Sequence, residues 1–318
     1  MTHPLVLDNV VKRFGDFAAV DGLSFSVNKG EIFGFLGPNG AGKTTTLRMI
    51  LDIIPATSGR IEVLGSSSAI PVRHRIGYLP EERGLYRKMR AADTIAYFAS
   101  LRGVPRKDAR TRAEKLLRQF GLGDFARSKN ESLSKGMAQK VQLLATIAHE
   151  PELLILDEPF TGLDPINQAT LESLIADLRN EGRTIIFSTH TMQHAERLCD
   201  RFLILAKGKK RFEGNLDQAR ASFPPRLIIR TRDPVENLRR APGVLKVSAA
   251  PTRDGDDQSY AIDLARGTDA NVVLRAAFDA GMHLSRFENA SASLHDIFVD
   301  LVGGNAQTLG PSESEAAA

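Results

Sequence analysis

A chain of 318 residues, 42% hydrophobic and 25% charged, has material for roughly two domains, each able to bury its own core. Its 42 basic and 38 acidic side chains leave a net charge of +4, too slight an excess to argue for nucleic acid, and its single cysteine, Cys199, excludes an intrachain disulfide and any multi-cysteine metal site. No apolar run approaches the about 20 residues of a membrane-spanning helix, and Asp8 falls where an export signal keeps its uncharged core, so the chain is expected to be intracellular.

From residue 5 the chain reads as short strands rich in β-branched and aromatic residues, "LVLDNV", "LSFSV" and "EIFGFL". An amphipathic run, "TTLRMILDII", follows. "DARTRAEKLLRQF" places Ala109, Ala113, Leu116, Leu117 and Phe120 on one helical face and stops at Gly121. Met137, Val141, Leu144, Ala145 and Ala148 form the stripe of another helix, beginning near Gly136. Strand "ELLIL", helix "NQATLESLIADLRNEG", strand "TIIFST", helix "MQHAERLCD" and strand "RFLILA" then alternate, which predicts a parallel sheet with crossover helices. Two prolines in "ARASFPPRL" break the pattern, and a linker is expected over 219–225. Beyond it the order is strand "RLIIRT", helix "PVENLRR", strand "GVLKVSAA", turn "RDGDDQ", strand "SYAIDLA", helix "ANVVLRAAFDAG" and strand "HLSRFE". This βαββαβ order predicts a small ferredoxin-like α+β domain over 226–303. It carries one extra helix, "SLHDIFVDLV", with Leu294, Ile297, Phe298 and Leu301 on one face. Residues 304–318 lack a core-forming pattern and are expected to be disordered.

The chemistry concentrates in "GPNGAGKTT", residues 37–45, which fits G-x-x-x-x-G-K-[ST] between an apolar strand and a helix. Glycines 37, 40 and 42 let backbone N–H groups turn toward phosphate oxygens, and the helix offers its positive end to the same charge. Gly37, Asn39, Gly40, Ala41, Gly42, Lys43, Thr44 and Thr45 are therefore read as a phosphate-binding loop. Lys43 would reach the β and γ phosphates, and Thr44 would ligate Mg²⁺. A second signal is "LLILDEPF": two acids ending an apolar strand are costly unless something cationic or catalytic uses them. Asp157 is the natural Mg²⁺ partner, and Glu158 the natural base or orienter for an attacking water. Third, Ser134 and Lys135 precede the Met137 helix. Serine is an ordinary cap, but lysine sits against the positive end of the helix dipole, where an anion would be favoured.

With "LLILDEP", "GLDP" at 162–165, "STH" at 188–190 and the phosphate loop in this order, the first 215 or so residues resemble an ABC-type ATPase subunit. The resemblance implies an α/β P-loop fold over 1–218 with a helical insert at about 82–150, ATP and Mg²⁺ as cofactors, and ATP hydrolysis coupled to transport. "LSKGM" at 133–137 stands where the family usually reads LSGGQ. Ser134 and Gly136 would then contact the γ-phosphate of an ATP held by a second copy, which makes the working form a head-to-tail dimer. Phe14 in "VKRFG" matches the adenine-stacking aromatic, usually Tyr, although a strand-core phenylalanine is its plainer reading. His190 matches the switch histidine, and Asp164 the loop that communicates between the two sites. His190 and His194 are spaced like a zinc pair but lack the neighbouring Glu and third ligand such a site needs.

One departure is Glu81 in "GYLPEERGLY", where the family generally has Gln. A carboxylate can still ligate Mg²⁺ there but alters the charge near the γ-phosphate. "YLPEERGLY", "LSKGM" and the C-terminal extension together resemble a sodium-export or drug-export subset. The implied partner is a separate integral-membrane permease, docked on residues 82–105 around Tyr86 and Met89. The implied location is cytoplasmic, peripheral on the inner face of the membrane, with no nucleic-acid role. The alternatives are a soluble ABC-type ATPase, which usually has two nucleotide domains or coiled-coil insertions, and a regulatory nucleotide-binding protein without turnover.

Overall fold

The computed structural model describes residues 3–82, 84–250, 257–290 and 292–303. The expected tail at 304–318 and most of the expected turn at 253–258 lie outside them. The chain divides into two compact units, residues 1–215 and 216–318.

The first unit opens with β1 (Leu5–Phe14), β2 (Phe17–Val27), β3 (Ile32–Leu36), α1 (Lys43–Ile50), β4 (Ser58–Val63) and β5 (Ile76–Leu79). Three helices follow, α2 (Ala91–Leu101), α3 (Arg106–Gln119) and α4 (Lys135–Ile147). It closes with β6 (Leu153–Asp157), α5 (Pro165–Asn180), β7 (Thr184–Thr189), α6 (Met192–Leu198), β8 (Arg201–Ala206) and β9 (Lys209–Gly214). Six strands form one sheet in the order β5-β6-β7-β3-β8-β9, parallel except where β9 turns back on β8. Strands β2-β1-β4 form a separate antiparallel sheet.

Both faces of the parallel sheet are covered, which is why its strands read as continuous apolar runs. Alternation still sorts them: Leu154, Leu156, Ile185 and Phe187 face the helical core with α2 to α5, while Leu153, Ile155, Ile186 and Phe35 face α1 and the antiparallel sheet. Each such fully buried side chain contributes about 1.5–3 kcal/mol. Cys199 belongs to this interior as a small hydrophobe whose thiol burial pushes up. Strand β3 lies between β7 and β8, and β3, β6 and β7 all end on the same edge: Leu36 pairs with Thr189 and Asp157 with Ser188. That edge carries the site.

The second unit contains α7 (Leu216–Ala221), β10 (Arg226–Thr231), α8 (Glu236–Arg239), β11 (Val244–Ala250), β12 (Gln258–Leu264), α9 (Asn271–Asp279), β13 (Leu284–Ala290) and α10 (Leu294–Gly303). Its sheet order β11-β12-β10-β13 is antiparallel throughout, the ferredoxin-like arrangement expected from βαββαβ. Leu227, Ile229, Leu238, Val247, Ile262 and Val273 form its core. The extra helix α10 packs on α7. One expectation is corrected: residues 219–221, expected in a linker, are the end of α7, where Ala219 is fully buried, so irregular chain begins only at Ser222.

Candidate functional site

The loop after β3 has no room for side chains at two points. A Cβ on Gly37 would lie 2.4 Å from the Leu205 carbonyl oxygen, and one on Gly42, at φ 104°, would lie 2.5 Å from that of Ala19. The chain therefore wraps tightly into α1, where Gly42 occupies the N-cap and no side chain caps the helix. The helix start keeps its free N–H groups for an anion. Lys43 is buried under the loop, its ammonium donating to the Gly37 carbonyl at 2.8 Å and standing 3.4 Å from Glu158 Oε1.

Strand β6 delivers Asp157 and Glu158 to the same place, 1% and 7% exposed. The Thr44 hydroxyl donates to Asp157 Oδ1 at 3.4 Å, and the Ser188 hydroxyl donates to the same oxygen. Burial raises the Asp157 carboxyl above the ordinary range, against these two hydrogen bonds. Its Oδ2 has no hydrogen-bond partner among the described residues. Glu158 sits at φ 47°, a left-handed backbone rare outside glycine, with its N–H donating to Ser188 Oγ at 2.9 Å. His190 Nδ1 lies 3.0 Å from Glu158 Oε2. Thr44 Oγ1 and the unpartnered Asp157 Oδ2 are hard oxygen donors that fit Mg²⁺. Among the described residues no cluster of three His, Cys, Asp or Glu side chains could hold a metal. That sparse set suits a cation that keeps its waters and takes other ligands from phosphate.

Phe14, Asn39, Gly40, Ala41, Gly42, Lys43, Thr44, Thr45, Glu81 and Glu158 line one open groove of about 400 Å³. Phe14 is 53% exposed on the groove wall, with the Lys12 ammonium 4.9 Å from its ring centre, so the strand-core reading of it is wrong. Phe17 lines the same groove and was missed by sequence reasoning. It pairs with Phe14 across the tight turn in "RFGDF", so the signal was a second aromatic flanking that turn.

Ser134, Gly136 and Asp164 gather into a cluster of their own, none of them lining that groove. Ser134 caps α4, its hydroxyl accepting from the Met137 N–H at 3.3 Å. Asp164 caps α5, accepting from the Asn167 N–H at 2.9 Å, which holds its carboxyl below the usual range. The two starts touch: a Cβ on Gly136 would lie 2.8 Å from Asn167 Nδ2, and one on Gly162 2.4 Å from Lys135 Nζ. Lys135 thus lies along the loop between β6 and α5, and Met137, placed in the apolar stripe by the sequence, packs half-buried against the helical core. His194 joins no zinc site: it stacks on Phe160 at 4.0 Å, and its Nδ1 lies 2.8 Å from Glu172 Oε1.

A second cavity, about 280 Å³, opens between the Glu81 loop, α2 and α4, lined among others by Tyr78, Leu85, Phe98, Arg102 and His149. His149 Nε2 lies 3.1 Å from the Ile76 carbonyl oxygen, and burial lowers the imidazole to about 4.

Comparison with known proteins decides the family. Residues 20–161 match the family described as ABC transporter, and residues 214–302 match the C-terminal domain of ATP-binding proteins of the DrrA1-3 kind. The Bacillus subtilis (strain 168) ABC transporter ATP-binding protein YhaQ is 41% identical over 94% of this chain and 98% of its own length. The chain belongs to the ABC transporter ATP-binding proteins. The Streptomyces coeruleorubidus daunorubicin resistance ATP-binding protein DrrA3 is 32% identical, covering 94% of this chain and 96% of that one. A solved ATP-binding subunit of an ABC transporter, 32% identical, superposes with a TM-score of 0.64 over 69% of this chain and 92% of that one. This protein is accordingly an ATP-binding, ATP-hydrolysing subunit of an ABC transporter. Subunits of this family dimerise and work with membrane permeases. None of the helices among the described residues is long and apolar enough to cross a membrane.

Proposed function

We propose that one ATP lies in the groove between Phe14 and Glu158, and that two copies close head to tail over two such nucleotides to drive a separate permease. The observation that carries the reading is the buried Lys43–Glu158 pair, with the exposed His190 bonded to Glu158, at the edge of the parallel sheet. The loop N–H groups and Lys43 bind the phosphates, and Phe14 and Phe17 hold the base by its faces. Thr44, Asp157 and Glu81 would hold Mg²⁺, which when bound offsets charge on the phosphates. Glu158 accepts the proton of the attacking water. His190, bonded to the second Glu158 oxygen, fixes that carboxylate and reaches toward the γ-phosphate.

Ser134 and Gly136 supply the opposite wall from the second copy, with Asp164 reporting between the two sites. Loss of the γ-phosphate removes the anion that holds two helix starts to two loops, and the pair opens. The permease docks in the cavity under Tyr86 and Phe98, beside the Glu81 loop, with the subunit on the inner face of the membrane. Changes at Tyr86 or Met89 should uncouple transport and spare the ATPase of the isolated subunit.

The test is Glu158→Gln. Losing the base should cut ATP turnover by about 10²-fold or more while an ATP-bound dimer accumulates in size-exclusion chromatography. Equal turnover in the two proteins would remove Glu158 from catalysis.

A further inference from the structure

We infer that Ser188 is a positioning residue for hydrolysis: one buried hydroxyl sets both acids, turning Asp157 toward the cation and Glu158 toward the water. The inference rests on the ATPase reading above.

Ser188 lies on β7 beside Asp157 of β6, in register and fully buried. A hydroxyl has one proton to donate and can accept besides. Here the proton goes to Asp157 Oδ1, and the oxygen accepts the Glu158 N–H at 2.9 Å. The first bond, joined by that from Thr44, occupies Oδ1 and leaves Oδ2 as the carboxylate oxygen with no partner among the described residues. The hydroxyl thereby selects which oxygen of Asp157 is left for a cation, as an outer hydrogen bond orients a ligand elsewhere.

The second bond holds the backbone where Glu158 turns to φ 47°. Without that turn the carboxylate would not stand between Lys43 and His190. Packing alone does not call for serine. Position 188 is the next-to-last residue of a central, doubly covered strand, following Ile186 and Phe187, where an apolar β-branched residue suits the sheet better. Among the described residues, the oxygen is used by the two acids.

Ser188→Val and Ser188→Thr have nearly the same volume and differ by the hydroxyl. Two quantities are read: the gain in affinity for a fluorescent ATP analogue on adding Mg²⁺, and the Mg²⁺ dependence and kcat of hydrolysis. For Ser188→Val, analogue binding without Mg²⁺ should match the parent protein, while half-saturating Mg²⁺ rises about tenfold and kcat falls about 10- to 100-fold. Ser188→Thr should recover most of both. If Val fails to fold in a thermal melt, Ser188→Ala against Ser188→Cys asks the same question with smaller side chains. Val and Thr proteins with the same Mg²⁺ response and kcat would overturn the role of Ser188 and leave the ATPase standing. A parent protein whose nucleotide binding ignores Mg²⁺ would overturn both.

Discussion

The first unit has two places proposed to meet the same anion, and they differ in completeness. The charged groups of the phosphate loop and the strand beside it are buried and wired in advance: Lys43 sits on Gly37 and against Glu158, and Ser188 holds both acids. The starts of α4 and α5 lie in the open, with Ser134 and Asp164 capping only their own helices and Gly136 resting on Asn167. A site that must bind before anything else happens is organised within one chain. One proposed to act only after a second copy arrives is left exposed, and its Lys135 lies along a neighbouring loop.

This contrast can be broken at either end. The largest effect is expected for Lys43→Ala, which removes the buried cation from the loop: ATP turnover should fall by about 10³-fold, and a fluorescent ATP analogue should bind far more weakly. Turnover at the original rate would mean that the loop is not the chemical site. Next comes Ser134→Arg, a bulky cation at the exposed helix start. ATP-driven dimerisation, followed by light scattering, should vanish while each monomer still binds ATP. Loss of monomer binding would place Ser134 in its own chain's groove and erase the contrast. Phe14→Ala removes one face of the base pocket and should cost about 1 kcal/mol, roughly a fivefold rise in Kd for ATP. The smallest change is Gly136→Ala. Its methyl group must push the Asn167 amide off Asp164, so dimer affinity should weaken by about threefold, or under 1 kcal/mol, with unchanged ATP binding by the monomer.

Much of this was legible in the chain itself, because phosphate binding is a local affair. Loop, lysine and threonine are contiguous, and the strand before them and the helix after them announce the context. The acids of β6 were equally readable, since charge at the end of an apolar strand needs a reason. The second unit was legible in its order of elements, each short enough to be cut out by turns.

What escaped depends on pairing at a distance. Ser188 meets Asp157 only because β7 lies beside β6 in that register, and nothing in "FSTH" discloses it. Phe17 gained its place from a hairpin that brings it opposite Phe14. Strand β9 is polar on its surface and made by its pairing with β8, so no apolar pattern marked it. Helix α7 was hidden by the prolines just beyond it, and its six residues owe their helix to packing against α10 rather than to any periodicity of their own.

Helix α4 has a consequence beyond its cap. Its thirteen residues make a stiff rod about 20 Å long. Behind Ser134 at its tip, Gln139 donates to the Pro159 carbonyl, next to Glu158, the proposed base, and Gln142 to the Glu82 carbonyl, beside the proposed docking cavity. One body therefore joins the helix start proposed to meet the partner's nucleotide, the residue beside the proposed base and the place where the permease would settle. If the nucleotide shifts the rod, linkage requires a permease seated in the cavity to alter the affinity for ATP by the same factor by which ATP alters the grip on the permease. The subunit is then as much a gauge of its membrane partner as a motor for it.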